Sequence, residues 1–389
     1  MSNPQELDLV VYGATGFTGR LVAEYLAQRS GHGLRWAMAG RNADKLVAVR
    51  DEIAAPRDIP LVVADASAPD SLHDMVARTR CVISTVGPYQ LYGTPLVDAC
   101  ARAGTDYVDL CGEPLWMCDM IDGYWEAAAA SGARIVFSCG FDSLPFDLGV
   151  LFLQDAAKEE FGAVCPRVRG RVRAMNGEFS GGTAASLGGT MDRLKKEPEL
   201  IKVLTDPFAL AGGFRGPEQP ADNEPREDEL LGQWVAPFIM APINSKNIHR
   251  SNALMGHPYG EDFRYDEMML TGPGEQGKAV AEMVAASNPL SGDNTPAPGE
   301  GPSRESREAG NYDVLFVGTT ADGQEIRAAV TGDKDPGYGS TSKMISESAV
   351  CLISSCQDLP GGIYTSAPAM GHRLISRLVE YAGLTFTME

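Results

Sequence analysis

The sequence predicts an α/β protein: a doubly wound parallel sheet followed by a second α/β domain containing a mixed, mostly antiparallel sheet. Three observations predict it. Short apolar runs alternate with amphipathic helical stretches from Leu7 to Ser138. Three glycines, Gly13, Gly16 and Gly19, fall at spacing three between the first run and the first helix. Beyond Gly149 the pattern changes to half-exposed strands and a hairpin signal.

Residues 7–12 (LDLVVY) read as a buried strand, being short, apolar and partly β-branched. The next stretch is a helix that puts Leu21, Val22, Tyr25 and Leu26 on one face. Strand and helix then alternate: strand 34–39, helix 43–53, strand 60–64, helix 67–78, strand 81–85, helix 94–103, strand 107–110, helix 115–131 and strand 134–138. Six strands separated by helices make a parallel sheet whose ligands bind at its carboxyl edge. In the second half, residues 168–175 (VRGRVRAM) alternate as a half-exposed strand, and Gly181-Gly182 turns into a helix. Residues 234–240 and 263–270 read as strands and 277–286 as a helix. Residues 287–311 are rich in Pro, Gly and Ser without apolar periodicity, and are expected to be a mobile surface loop. Residues 313–319 and 325–330 form a hairpin across TADGQ. A helix near 342–355 is expected to pack back on the first domain. The expected division is therefore 1–148, completed by C-terminal helices in 339–389, with 149–338 inserted as a substrate or dimerisation domain.

Bulk properties narrow the function classes. The 389 residues suit two domains, and a hydrophobic content of 44% with 22% charged residues is ordinary globular composition. A net charge of −19 repels nucleic-acid phosphates and gives no general attraction to anionic lipid. The eight cysteines have no CxxC spacing and do not cluster with the five histidines, so no metal site or disulfide framework is expected. Without a basic, apolar leader or a long apolar run, no signal peptide or transmembrane segment is expected either, and the reading is a cytoplasmic protein.

The glycines explain the chemistry. Gly13 permits a tight turn, Gly16 lets a pyrophosphate approach the backbone, and Gly19 lets the helix lie close to the strand. Free N–H groups at the helix start then face phosphate. At the end of the second strand, where NAD enzymes place an acid, the chain has AGRN. Arg41 there would pair with a 2′-phosphate, which favours NADP; the plain alternative is a solvated arginine. Asp65 either hydrogen-bonds adenine or caps the next helix. Gly87-Pro88 forces a turn that puts Tyr89 near the nicotinamide end. The fifth strand ends in Asp109, Cys111 and Glu113, and the sixth leads to Asp142, Ser143 and Asp147. Either these line a cleft, or Asp109 and Glu113 cap the helix starting near Pro114.

The segments VVYGATGFTGRLVAEYL, AGRN, STVGPYQLYG, DYVDLCGE, CGFDSLPFDLG, SGGTAASL and DPGYGSTSKM together resemble the saccharopine dehydrogenase-like oxidoreductases. Within that group the chain is most similar to the trans-acting enoyl reductases of polyketide-lipid synthesis. The resemblance implies NADP binding by a Rossmann domain, an inserted α/β domain, and return of the C-terminal helices. It carries cofactor contact onto Gly13, Thr15, Gly16, Phe17, Arg41, Gly87 and Pro88. It also implies reduction of a carbon–carbon double bond on a chain held by a polyketide synthase. A small-molecule or carrier-bound lipid is then the substrate; a homodimer and peripheral membrane association stay open.

Reduction needs a hydride donor, a group that stabilises the developing enolate, and a proton donor. Tyr89, Glu113 and Asp142 are the foremost candidates, with Tyr92 and Cys111 beside them. Phe179, Trp234, Phe238, Met240 and Phe263 either line an apolar groove or are core. Two other functions compete. A saccharopine-type dehydrogenase would bind dicarboxylate ends with Arg167, Arg169, Arg171 and Arg173, which alternate onto one strand face open to solvation. A non-catalytic NADP-binding scaffold would keep the glycines and lose the polar strand ends.

Overall fold

The computed structural model describes residues 5–29, 33–177, 181–287 and 300–389. Among these, fourteen strands form two sheets. In chain order they are β1 (Leu7–Tyr12), β2 (Trp36–Gly40), β3 (Leu61–Val63), β4 (Thr79–Ser84), β5 (Asp106–Asp109), β6 (Arg134–Val136), β7 (Arg167–Asn176), β8 (Arg226–Asp228), β9 (Gln233–Pro237), β10 (Arg264–Gly272), β11 (Asn311–Thr319), β12 (Glu325–Gly332), β13 (Gly362–Tyr364) and β14 (Leu384–Met388).

The first sheet runs β13-β6-β5-β4-β1-β2-β3 and every pairing in it is parallel. Successive side chains serve opposite faces. Leu9, Val11, Met38 and Ile83 enter one core with Ile345 and Leu352 of the helix Thr341–Ser355. Val10, Tyr12, Val82 and Tyr107 enter the other with Leu72 and Leu96. The chain leaves β1 in one direction for β2 and returns on its other flank for β4, so the topological switch lies between β1 and β4.

The second sheet runs β14-β12-β11-β7-β10-β9-β8. Only β7 and β10 pair in parallel; the other pairings are antiparallel, including the expected β11–β12 hairpin. The C-terminal segment is more than a set of returning helices. β13 adds a seventh strand to the parallel sheet, and β14 forms the edge of the mixed one. The helix Leu144–Phe161 runs unbroken through 148/149 and packs on β11 and β12. A Cβ at Gly149 would come within 2.3 Å of Phe316, so the helix lies against the sheet at that point.

Three sequence expectations need correction. Residues 288–299 of the expected loop lie outside the described residues, and its C-terminal part is ordered, not loop. Ser303 accepts from Ser306 N and starts the helix Arg304–Ala309, and β11 already begins at Asn311. The arginine face of β7 is only partly solvated: Arg173 is half-exposed beside Asp313 and Glu389, but Arg171 is buried. Arg171 is 1% exposed and pairs with Asp228 and Asp266 at 2.8 Å, and Asp266 also receives Arg167 and Arg226. The third correction is an element unseen in the sequence: the helix Ala241–Leu254, in which Asn244, Lys246, Asn247, His249 and Arg250 are all buried.

Asp266 thus holds three guanidinium groups in the mixed sheet. Asp266→Ala should lower the unfolding free energy by about 3–5 kcal/mol, the scale for breaking a buried ion pair. A shifted urea midpoint at unchanged slope would record it.

Candidate active site

The carboxyl ends of β1, β4, β5 and β6 meet at one place. β1 is followed by Gly13, with φ of +92°, where a Cβ would strike Thr85 Oγ1 at 2.7 Å. Gly13 O accepts from Gly16 N at 2.9 Å, closing the turn. Gly16 then stands as N-cap of the helix Phe17–Gln28. A Cβ at Gly19 would sit 2.1 Å from Gly13 O. A Cβ at Gly16 would meet only Gly13 O at 3.3 Å, so its outer side is open to a close ligand. No side chain caps this helix, which leaves its first N–H groups available to an anion. The cradle fits a dinucleotide diphosphate. Thr15 lies beside Gly40, at the end of β2. Phe17 meets the edge of Tyr338, with centroids 5.1 Å apart.

Arg41 is exposed just beyond β2 and makes no ion pair among the described residues. The neighbouring Asn42 caps the helix Ala43–Glu52 by accepting from Lys45 N at 2.9 Å. Asp65 neither caps a helix directly nor stands free. Its Oδ1 accepts from Ser67 N and Ser67 Oγ, both at 2.9 Å, before a helix that starts at Pro69.

Tyr89 and Glu113 stand at the expected strand ends, but their polar groups are engaged by the protein itself. Tyr89 is buried, and its hydroxyl donates to Ser84 O and accepts from Leu110 N, each at 3.1 Å. It braces the ends of β4 and β5. Glu113 does not cap its own helix, Pro114–Ser131. Its carboxylate accepts from Tyr89 N and Gln90 N at 2.9 Å, and from Ser186 Oγ at 2.8 Å. It therefore caps the short helix Tyr89–Tyr92 just after the cis Gly87-Pro88 bond, and ties it to the helix Gly181–Lys196.

The remaining polar strand ends divide in the same way. Asp109 accepts from Cys111 N, Ser138 N and Tyr107 Oη, and burial raises its pKa to about 7. Cys111 is fully buried and its thiol is pushed well up by burial, so it holds no thiolate. Asp147 accepts from Ser366 Oγ and Ala367 N at 2.8 Å. Asp142 differs from all of these. It is half-buried, makes no hydrogen bond among the described residues, and has its pKa raised to about 6 by burial.

The buried helix Ala241–Leu254 supports this position. Asn247 donates to Ser143 Oγ at 2.8 Å, directly beside Asp142. One turn earlier Asn244 donates to Glu267 Oε1 at 2.7 Å, and Tyr265 Oη donates to Glu267 Oε2 at 2.7 Å. Burial raises the Glu267 pKa to about 8, with Asp222 and Asp142 adding repulsion. Of the apolar candidates, Phe238 and Phe263 are core, while Trp234 and Met240 are not fully buried. Phe179 lies outside the described residues. No group of His, Cys, Asp and Glu among the described residues is arranged to hold a metal ion. A depression of about 440 Å³ lined by Glu6, Arg29, Trp36 and Arg78 lies at the opposite, amino edge of the sheet.

Tyr89→Phe and Glu113→Gln should each cost about 1–3 kcal/mol, because each leaves buried backbone groups with an impaired partner. Both should appear as lowered melting temperatures.

Residues 9–136 match the family described as the saccharopine dehydrogenase NADP-binding domain. A Mycobacterium tuberculosis protein provisionally named a trans-acting enoyl reductase is 41% identical, over 97% of this chain and 96% of that protein. The trans-acting enoyl reductase of Mycobacterium ulcerans is 38% identical, over 97% of each chain. Among solved structures, apo saccharopine dehydrogenase (L-Glu forming) from Saccharomyces cerevisiae shares the fold at a TM-score of 0.55. Its identity is 11%, with 98% of this chain and 100% of that one covered. The chain belongs to the saccharopine dehydrogenase-like family of NADP-dependent oxidoreductases, in the branch of the trans-acting enoyl reductases.

Proposed function

We propose that this protein reduces a carbon–carbon double bond of a polyketide or lipid chain, acting in trans on a substrate carried by a polyketide synthase, with Asp142 as the proton donor. The observation that carries the reading is the near full-length similarity to relatives bearing that name. Bound NADPH supplies the hydride. This chain's own residues hold the cofactor and deliver the proton. The Gly13–Gly19 turn takes the diphosphate, and Arg41 pairs with the 2′-phosphate. The Gly87-Pro88 turn, locked by Glu113, forms one wall of the cleft. As hydride reaches the β-carbon of an enoyl group, charge develops toward the thioester carbonyl, and a proton must reach the α-carbon. Asp142 is the carboxyl at these strand ends not committed to a hydrogen bond, and its raised pKa keeps part of it protonated near neutrality.

A saccharopine-type reaction would need free cations for dicarboxylate ends. Arg167 and Arg171 are instead held by Asp266 and Asp228. A scaffold protein would have no use for the uncommitted acid at position 142. No helix among the described residues is long and apolar enough to cross a membrane.

The test is NADPH oxidation with enoyl thioesters, set against imines of amino acids; turnover of the imines alone would overturn the reading. Asp142→Asn should lower turnover at least about 100-fold while NADPH affinity holds, the scale for losing a general acid. Because the acid form is required, wild-type turnover should fall as pH rises through about 6. Stability should depend on the same group. Its folded pKa is raised from 3.8, so the folded chain keeps a proton the unfolded chain has lost. This contribution is full below pH 3.8 and is lost as pH rises to about 6, and Asp142→Asn should abolish the loss. Melting curves across that window would read it.

Arg41→Asp should weaken NADPH binding at least about tenfold and leave NADH nearly unchanged, since it replaces attraction to the 2′-phosphate by repulsion. Fluorescence titration of both cofactors decides it.

A further inference from the structure

The cations around the dinucleotide turn are mostly neutralised. Arg20 pairs with Glu52 at 2.8 Å, and Arg304 binds Glu24 at 3.0 Å and Glu308 at 3.1 Å. Arg307 is different. Its guanidinium lies over the ring of Phe17, 5.5 Å from the centroid, and makes no ion pair within 4.0 Å among the described residues, although the Asp335 and Glu305 carboxylates feel its charge. One N–H donates to Pro302 O at 2.6 Å, leaving further donors of the planar group to spare.

The segment carrying it is held in place from several sides. A Cβ at Gly301 would come within 2.5 Å of the Phe17 ring. The Arg307 carbonyl accepts from Asp335 N at 3.0 Å. Asp335 in turn accepts from Tyr338 N and Gly339 N, and Tyr338 meets Phe17 edge-on. Phe17 is the first residue of the helix whose uncapped N–H groups are available to a cofactor diphosphate. A cation seated on that residue, in a chain of net charge −19, is placed to meet an anion arriving at the turn.

We propose that Arg307, carried on the stretch leading into the mixed sheet, is a further cofactor-binding residue, and that its guanidinium pairs with the NADP diphosphate. The inference rests on NADP binding and not on the identity of the enoyl substrate, so its test contains no substrate. NADPH and NADH are titrated by fluorescence against wild type, Arg307→Met and Arg307→Lys, with cofactor-free melting temperatures read alongside. Met keeps a stem on Phe17 and loses the charge; Lys keeps the charge. Arg307→Met should weaken both cofactors about 10- to 100-fold, the scale of a charge-assisted hydrogen bond. The loss should shrink at high salt. Arg307→Lys should recover much of the affinity, which repair of packing alone would not explain. Wild-type affinity in Arg307→Met would overturn the proposal. So would a loss confined to NADPH, which would place Arg307 at the 2′-phosphate, or a Lys variant as weak as Met.

Discussion

A single added carbon at position 19 would lie 2.1 Å from the carbonyl oxygen of Gly13. That approach fixes where the helix Phe17–Gln28 starts relative to the end of β1, and much of the cleft depends on it. The helix N-terminus is brought to the carboxyl edge with its N–H groups unspent. On the far side, Gly13 leaves just enough room for Thr85, whose hydroxyl donates to Tyr12 O at 3.1 Å. The chain leaving β4 is thereby held against β1, and the Gly87-Pro88 turn is presented beside the phosphate site. Glu113 then secures that turn from β5. The phosphate cradle and the uncommitted acid are not built by one element; strand order alone brings Asp142 to the same edge.

The mixed sheet treats its acids in two ways, and the pleat of one strand separates them. Asp266 and Glu267 are neighbours on β10, so their side chains point to opposite faces. On one face Asp266 meets three guanidinium groups. On the other Glu267 meets a tyrosine hydroxyl and an amide, with no cation, and its pKa rises to about 8. Charge serves cohesion away from the site, and a proton is retained toward it.

The sequence is readable wherever the local pattern and the tertiary role agree. The glycine spacing, the strand and helix alternation before residue 138 and the β11–β12 hairpin are of this kind. β13 has three residues, too few for periodicity, and is a strand because β6 offers an edge. The helix Ala241–Leu254 buries asparagine, lysine, histidine and arginine on nearly every side, so it has no apolar stripe to find. Arg171 alternates as a solvated residue would, and its acids come from β8 and β10, far away in sequence. Tyr89 and Glu113 stand at the strand ends the sequence indicates, but their roles depend on which backbone groups lie within about 3 Å, the reach of a hydrogen bond, and spacing does not encode that. Asp142 is legible as a position, while its lack of partners is visible only in three dimensions.

The return of the C-terminal segment to both sheets has a consequence for synthesis. A chain emerging from the ribosome lacks β13 until residue 364 and β14 until residue 388. Until then the parallel sheet exposes β6, and the mixed sheet exposes β12, as open edges with unpaired N–H and C=O groups. The parallel sheet is completed by residue 364, and the mixed sheet only after it. The β6 edge therefore stays open while the whole inserted segment is synthesised, whereas the β12 edge is open only for the short stretch between Gly332 and Leu384.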